Sequence, residues 1–186
     1  PAAPAAGFIN NTLKPEHGDQ FEIGSKGSLL KDKLSYQLAL FSFNIADKMT
    51  AISVPLNATT TAYSYMVNGS TQKHKGVEAT VKYAIVNNPN NVISNVTPFI
   101  NFTYSDFKYG DGFKIVTGAT VAGRDTIDYS GKNVYGVPKI MNALGVDVAT
   151  RFGLYLNFVH IYKDGMTIGT TKTSATGVNP KVFTTY

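Results

Sequence analysis

The feature of this 186-residue sequence that most constrains its fold is a strict alternation of apolar and polar side chains, which recurs along the chain. In residues 33–43, apolar side chains occupy every second position from Leu34 to Leu40, and small or polar side chains such as Gln37 lie between them. Successive side chains of a strand point to opposite faces, so a period of two predicts two-faced β-strands. The strands predicted in this way cover residues 20–29, 33–43, 76–86, 98–106, 139–149 and 152–163.

Composition supports an all-β fold and excludes several classes of site. Thr, Asn, Ser and Gly are abundant and only three glutamates occur, which excludes a helix bundle. The absence of cysteine excludes disulfides, thiolate metal ligands and cysteine nucleophiles. The net charge is +5, but among the 17 basic residues only Arg124 and Arg151 are arginines. Base-reading sites use arginine most often, and these lysines are scattered at turns, so we interpret them as solubilising loop ends and expect no nucleic-acid partner.

The connections between the predicted strands alternate between short and long. Short links lie at residues 30–32, 87–96 and 150–151, and long links at residues 44–75, 107–139 and 163–181. Long loops at one end and short turns at the other are typical of outer-membrane β-barrels, whose strands alternate apolar-out and polar-in. Aromatic residues near the ends of the predicted strands also fit the girdles of such barrels; they are Tyr36, Tyr83, Phe99, Tyr104 and Tyr162.

Two other architectures also produce alternating strands. A soluble β-sandwich has one face of each strand in a core, but it has no reason to place every long loop at the same end. A small complete outer-membrane barrel matches the chain length but needs more strands than we count. Either one would act as an adhesin or binding module.

Four short strings, spread in order over nearly the whole chain, resemble TonB-dependent outer-membrane receptors of the Bacteroidetes type. The first is L-K-P-E at residues 13–16, followed by F-E-I-G-S-K-G at residues 21–27. The others are the strand at residues 34–41, G-V-E at residues 76–78 and Y-G-V-P-K at residues 135–139. The resemblance therefore rests on the order of the strings rather than on any one of them.

The resemblance implies an all-β fold, an antiparallel up-and-down meander that is a partial segment of a transmembrane β-barrel of about 22 strands. We interpret residues 1–186 as a single segment of that barrel domain, without the plug domain and the TonB box. The implied function is TonB-dependent import across the bacterial outer membrane of a scarce nutrient such as a ferric siderophore, hence iron uptake. The implied partners are the rest of the barrel and the plug, a TonB-type energising protein acting through the plug, outer-membrane lipid, and a metal chelate or other nutrient.

The two faces of the predicted strands suggest a division of roles. We expect the apolar face to contact lipid and the polar face to line a hydrated lumen or contact the plug. The apolar face carries Leu34, Leu38, Val81, Phe102, Val146 and Leu156, and the polar face carries Glu22, Gln37, Glu78, Lys82, Asn101, Asp147 and Asn157.

Ligand capture is expected in the long links, where aromatic and basic side chains offer stacking and hydrogen bonds. The candidate ligand-binding residues are Tyr63, Tyr65, His74, Tyr109, Arg124 and Tyr129. No nucleophile, phosphate-binding or metal-ligand motif is present, so we predict no enzyme activity, no cofactor and no bound metal.

Overall fold

A computed structural model describes residues 12–56, 61–69, 71–117, 125–167 and 182–185, and every regular element within these ranges is a β-strand. No helix suited to crossing a membrane occurs in these ranges. The twelve strands are β1 (His17–Leu29), β2 (Leu34–Ala46), β3 (Met49–Pro55), β4 (Thr61–Asn68), β5 (Gln72–Tyr83), β6 (Val86–Asn87), β7 (Ile93–Tyr109), β8 (Lys114–Thr117), β9 (Asp125–Asp128), β10 (Ile140–Thr150), β11 (Tyr155–Lys163) and β12 (Val182–Thr185).

Most of these strands form one sheet in the order β1-β2-β5-β7-β10-β11-β12, and the short β6 pairs with β7. The pairs β7–β10, β10–β11 and β11–β12 are antiparallel. The long predicted strands are therefore neighbours in chain order, which confirms the predicted meander. In addition, β2 and β7 lie in one sheet rather than facing each other across a core, as a sandwich would require.

The strand register separates the two predicted faces. Val146 lies directly opposite Pro98 on β7 and Phe158 on β11, while Asp147 lies opposite Thr97 and Asn157. Directly opposed residues share a face of the sheet. Phe102, Val146 and Leu156 consequently lie on what we call the apolar face, and Asn101, Asp147 and Asn157 lie on the polar face, as the sequence predicts.

The tight turn predicted between β1 and β2 is confirmed, and it has an unusual backbone. Leu30, Lys31 and Asp32 have positive φ angles of 57°, 55° and 63°. The Lys33 N–H donates a hydrogen bond to the Leu30 carbonyl at 3.4 Å. Three successive residues without glycine in the left-handed region are uncommon, so the pairing of the flanking strands must hold this turn in place.

The chain divides into two compact units. The hairpin unit comprises Pro1–Gln20, Phe43–Lys73 and Lys108–Asn133, and the sheet unit comprises Phe21–Ser42, His74–Phe107 and Val134–Tyr186. The hairpin unit contains the paired strands β3–β4 and β8–β9. It also holds the buried apolar side chains of the described residues, which are Ile45, Tyr109, Phe113 and Tyr129.

Two of the long links are not the loops that the sequence predicts. Residues 44–75 contain the β3–β4 hairpin, and residues 107–139 contain the β8–β9 hairpin. Asn68 closes the first hairpin, because its side-chain N–H groups donate to the Asp47 and Lys14 carbonyls, both at 2.8 Å. Backbone pairing and this side-chain bridge satisfy polar groups that a loop would leave to water. Most of the third link, residues 163–181, lies outside the described residues.

Candidate functional site

The polar face of the sheet unit carries a hydrogen-bonded cluster around Asp147. Oδ1 of Asp147 accepts hydrogen bonds from the Tyr155 hydroxyl at 2.5 Å and from the Asn157 amide at 2.7 Å. All three side chains come from the hairpin of β10 and β11, where Asn157 lies directly opposite Asp147. The same face carries a bond from the Thr80 hydroxyl to Asn101 at 3.0 Å. These bonds give the face a polar lining suited to water or to another polypeptide.

The predicted ligand residue His74 lies on β5 in an aromatic group of the sheet unit. Its ring stacks on Phe107, with centroids 4.2 Å apart and an interplanar angle of 6°. Phe107 also meets Phe41 edge-on at 6.2 Å. A Cβ at Gly76 would overlap the Phe41 ring, so glycine is required at this position. Sequence reasoning found His74 but missed both phenylalanines, because they belong to strands distant in sequence.

Two further predicted ligand residues, Tyr109 and Tyr129, are packed into a cluster in the hairpin unit. Their side chains are 9% and 4% exposed, and both rings contact Phe113. Tyr109 and Phe113 stack at 4.7 Å, and the Lys132 ammonium lies 5.2 Å from the Tyr129 ring centroid. The cluster therefore uses these ring faces for packing within the unit. Contact of either tyrosine with a ligand remains a prediction.

Tyr63 and Tyr65 lie on β4, also in the hairpin unit. They occupy alternate positions of the strand and so share one face, with ring centroids 6.4 Å apart and tilted by 43°. Both side chains are half-buried. Two neighbouring partly accessible rings are suited to stacking against a planar or apolar ligand group. The sixth predicted ligand residue, Arg124, lies outside the described residues.

Two carboxylates in the hairpin unit have lowered pKa values with clear local causes. The Lys48 ammonium donates to Glu16 at 2.9 Å and the Met49 N–H donates at 2.7 Å, and both bonds lower the pKa of Glu16. The pKa of Asp128 is lowered mainly by hydrogen bonds from the side chain and backbone of Ser130. These bonds stabilise the ionised carboxylates and so fix local structure.

Among the described side chains, no group of histidines and acidic residues is arranged to hold a metal ion. The chemistry available on the polar face and in the hairpin unit is hydrogen bonding, aromatic stacking and charge, which serves binding.

Comparison with known proteins extends this description. Residues 1–183 match the family profile described as "TonB dependent receptor-like, beta-barrel". A search of curated proteins gives no match.

Among solved structures, the chain is similar in fold to one in the "Structure of the RagAB peptide importer in the 'closed-closed' state", with a TM-score of 0.52 and 16% identity. That similarity covers 89% of this chain and 24% of the solved chain, so this chain spans about a quarter of that chain's length.

Proposed function

The chain belongs to the TonB-dependent receptor β-barrel family, and from this membership we propose that it forms part of the wall of a barrel that imports a scarce nutrient. Proteins of this family lie in the bacterial outer membrane and are transporters rather than enzymes. The observation that carries the proposal is the division of one continuous sheet into an apolar and a polar face.

The apolar face supports contact with lipid. Large apolar side chains on it are exposed, including Leu144 at 46%, Leu156 at 61% and Phe158 at 50%. The face continues over neighbouring strands, and contiguous apolar surface of this kind is unfavourable in water. In an outer-membrane barrel the same side chains would contact hydrocarbon.

The polar face supports contact with a hydrated lumen and the plug. Its Asp147 cluster and the Thr80–Asn101 bond are polar groups that hydrocarbon would not accommodate. In the proposed receptor, this face looks into the barrel, and a TonB-type protein energises transport through the plug. The outermost strands of the described sheet, β1 and β12, would pair with further strands of the receptor, because a spanning sheet needs closed edges.

For the nutrient we propose a ferric siderophore, with Tyr63 and Tyr65 among the residues that contact it. The half-buried ring pair of the β3–β4 hairpin supports this role. The similar solved structure is titled a peptide importer, so a peptide is the alternative cargo.

Growth of a strain that lacks the complete receptor gene tests the proposal. We expect the strain to grow poorly when a ferric siderophore is the sole iron source, and the intact gene to restore growth. If the intact gene restores growth only when oligopeptides are the limiting nutrient, the cargo is a peptide rather than a siderophore. Unaltered growth and uptake with both cargoes would contradict import of either.

A further inference from the structure

The polar face holds an open cavity of about 520 Å³ near the turn that joins β1 to β2. The residues that line it come from β1, β2 and β5, and they are Lys26, Gly27, Ser28, Ser35, Tyr36, Gln37, Thr80 and Lys82. Two of these side chains are basic and none is acidic, and Ser28, Ser35 and Thr80 carry hydroxyl groups. Tyr36 alternates with Leu34 and Leu38, so its side chain lies on the opposite, apolar face. The lining is therefore cationic and rich in hydrogen-bond donors.

Strand pairing fixes the positions of these groups. The Ala84 N–H donates to the Lys33 carbonyl at 2.7 Å, which aligns the end of β5 with the start of β2. The Thr80 hydroxyl donates to Asn101, and this bond places Thr80 on the polar face. Lys82 is two positions further along β5 and so lies on the same face. The two lysines thus belong to a paired scaffold rather than to a loop.

The positive charge of these lysines is at most partly offset by carboxylates of the described chain. Within the described parts of the chain, neither Lys26 nor Lys82 forms an ion pair with a carboxylate. Asp147 attracts Lys82 electrostatically but forms no ion pair with it, so it offsets part of the charge of Lys82 and leaves the ammonium N–H groups of Lys82 for another acceptor. An anionic group that enters the cavity would meet two ammonium groups together with hydroxyl and amide donors, which is the chemistry that binds a carboxylate.

We propose that this cavity receives an Asp or Glu side chain of the plug, and that it is a docking point between the plug and the barrel wall. This inference rests on the proposed function, which places the polar face inside the barrel. Charge complementarity selects an acidic side chain, because the lining contributes two positive charges and no negative one. The neutral hydroxyl and amide groups around the lysines would bond to the backbone of the same polypeptide.

Zero-length crosslinking tests the proposal in the complete receptor, purified in detergent micelles. A water-soluble carbodiimide joins a lysine amine to a carboxylate only when the two are in contact, and mass spectrometry of the digested protein identifies the joined residues. We expect amide links from Lys26 or Lys82 to a plug carboxylate. Lys31, in the turn between β1 and β2, is the control for lysine reactivity and should form no such link.

Three results would overturn the proposal. Links from Lys82 to Asp147 alone would show that the sheet itself supplies the counter-charge. Links equally abundant from Lys31 would show that the crosslinks are unspecific. No link at Lys26 or Lys82, while an amine-reactive ester modifies both, would show that the lysines are accessible and that no carboxylate occupies the cavity.

A charge exchange provides a second measurement. Lys82→Glu should weaken plug docking, detected as faster protease cleavage of the plug, whereas Lys31→Glu should not change the cleavage rate. Replacing the carboxylate identified by crosslinking with lysine should restore protection in the Lys82→Glu receptor. Unchanged cleavage in Lys82→Glu would contradict the inference.

Heat-modifiable migration of the receptor in gel electrophoresis reports barrel folding in each variant. A folded barrel without the links would reject the docking point and leave the proposed function intact. If the unmodified receptor imports neither a ferric siderophore nor a peptide, the proposed function itself is rejected.

Discussion

The ring of Phe99 lies against Gly145, its direct partner on the neighbouring strand. A Cβ added at Gly145 would overlap this ring and would lie 2.7 Å from the Phe158 carbonyl oxygen. The glycine therefore leaves room for an aromatic ring on the polar face in the middle of the sheet. This position corrects the expectation that Phe99 belongs to an aromatic girdle near a strand end.

Gly145→Val should destabilise the complete receptor by about 1–3 kcal/mol, because the added side chain displaces the Phe99 ring and presses on the β11 backbone. Unfolding by denaturant in lipid vesicles measures the cost. When Phe99→Ala is added to the Gly145→Val receptor, part of this destabilisation should disappear. The two substitutions should therefore be coupled by at least about 0.5 kcal/mol. Strictly additive effects of the two substitutions would show that the ring and the glycine do not interact.

The sequence predicts the strands of the main sheet well where alternation is strong. The strand predicted over residues 139–149 is observed as Ile140–Thr150. The boundaries of β7 are less well predicted. The predicted strand begins at Pro98, where the clear alternation of residues 100–105 starts, but the observed strand begins at Ile93 and Pro98 pairs opposite Val146.

The long links show where sequence reasoning fails. Tyr63, Tyr65 and Val67 alternate and could have indicated β4, but the length of the link favoured a loop. No local pattern predicts that Tyr129 meets Tyr109, because the pairing of β8 with β9 brings these distant positions together. Contacts of this kind depend on tertiary structure, so the candidate site was only partly predictable.

The carboxylate of Glu16 provides a test of pH dependence. Its pKa lies below the ordinary value of 4.5, first because of the hydrogen bond from Lys48 and then because of that from the Met49 N–H. A lowered folded-state pKa means that the contribution of Glu16 to stability is present above the ordinary value and is lost as the pH falls through the folded-state pKa.

Lys48→Ala should therefore raise the pKa of Glu16, and NMR titration of carboxyl-labelled receptor in micelles measures the shift. Lys114→Ala is the control, because Lys114 pairs with Asp128 at 3.7 Å and should leave Glu16 unchanged. An unaltered Glu16 titration in Lys48→Ala would show that this ion pair does not form in the receptor.

The ring pair Tyr63 and Tyr65 gives a prediction for ligand binding. Tyr63→Ala and Tyr65→Ala should each weaken binding of the ferric siderophore by about 2- to 10-fold, the loss expected for one aromatic contact of about 0.5–1.5 kcal/mol. Calorimetry on the purified receptor measures the affinity. Met66 lies on the opposite face of β4 and is 41% exposed, so Met66→Ala is a matched control. An equal loss in Met66→Ala would attribute the effect to the hairpin's stability rather than to ring contacts.

The adjacent residues Ala143 and Leu144 lie on opposite faces of the sheet. Leu144 lies opposite Ile100 and His160 on the apolar face, and Ala143 lies opposite Asn101 and Ile161 on the polar face. Leu144→Arg should cost about 2–4 kcal/mol if this position is near the bilayer midplane, because the guanidinium would enter hydrocarbon. Ala143→Arg should cost less, since its charge would reach a hydrated lumen.

Unfolding of the complete receptor in lipid vesicles measures the free-energy cost of Leu144→Arg and of Ala143→Arg, and heat-modifiable migration confirms that each variant has folded. A greater cost for Ala143→Arg than for Leu144→Arg would reverse the assignment of the faces and contradict the proposed orientation of the sheet in the membrane.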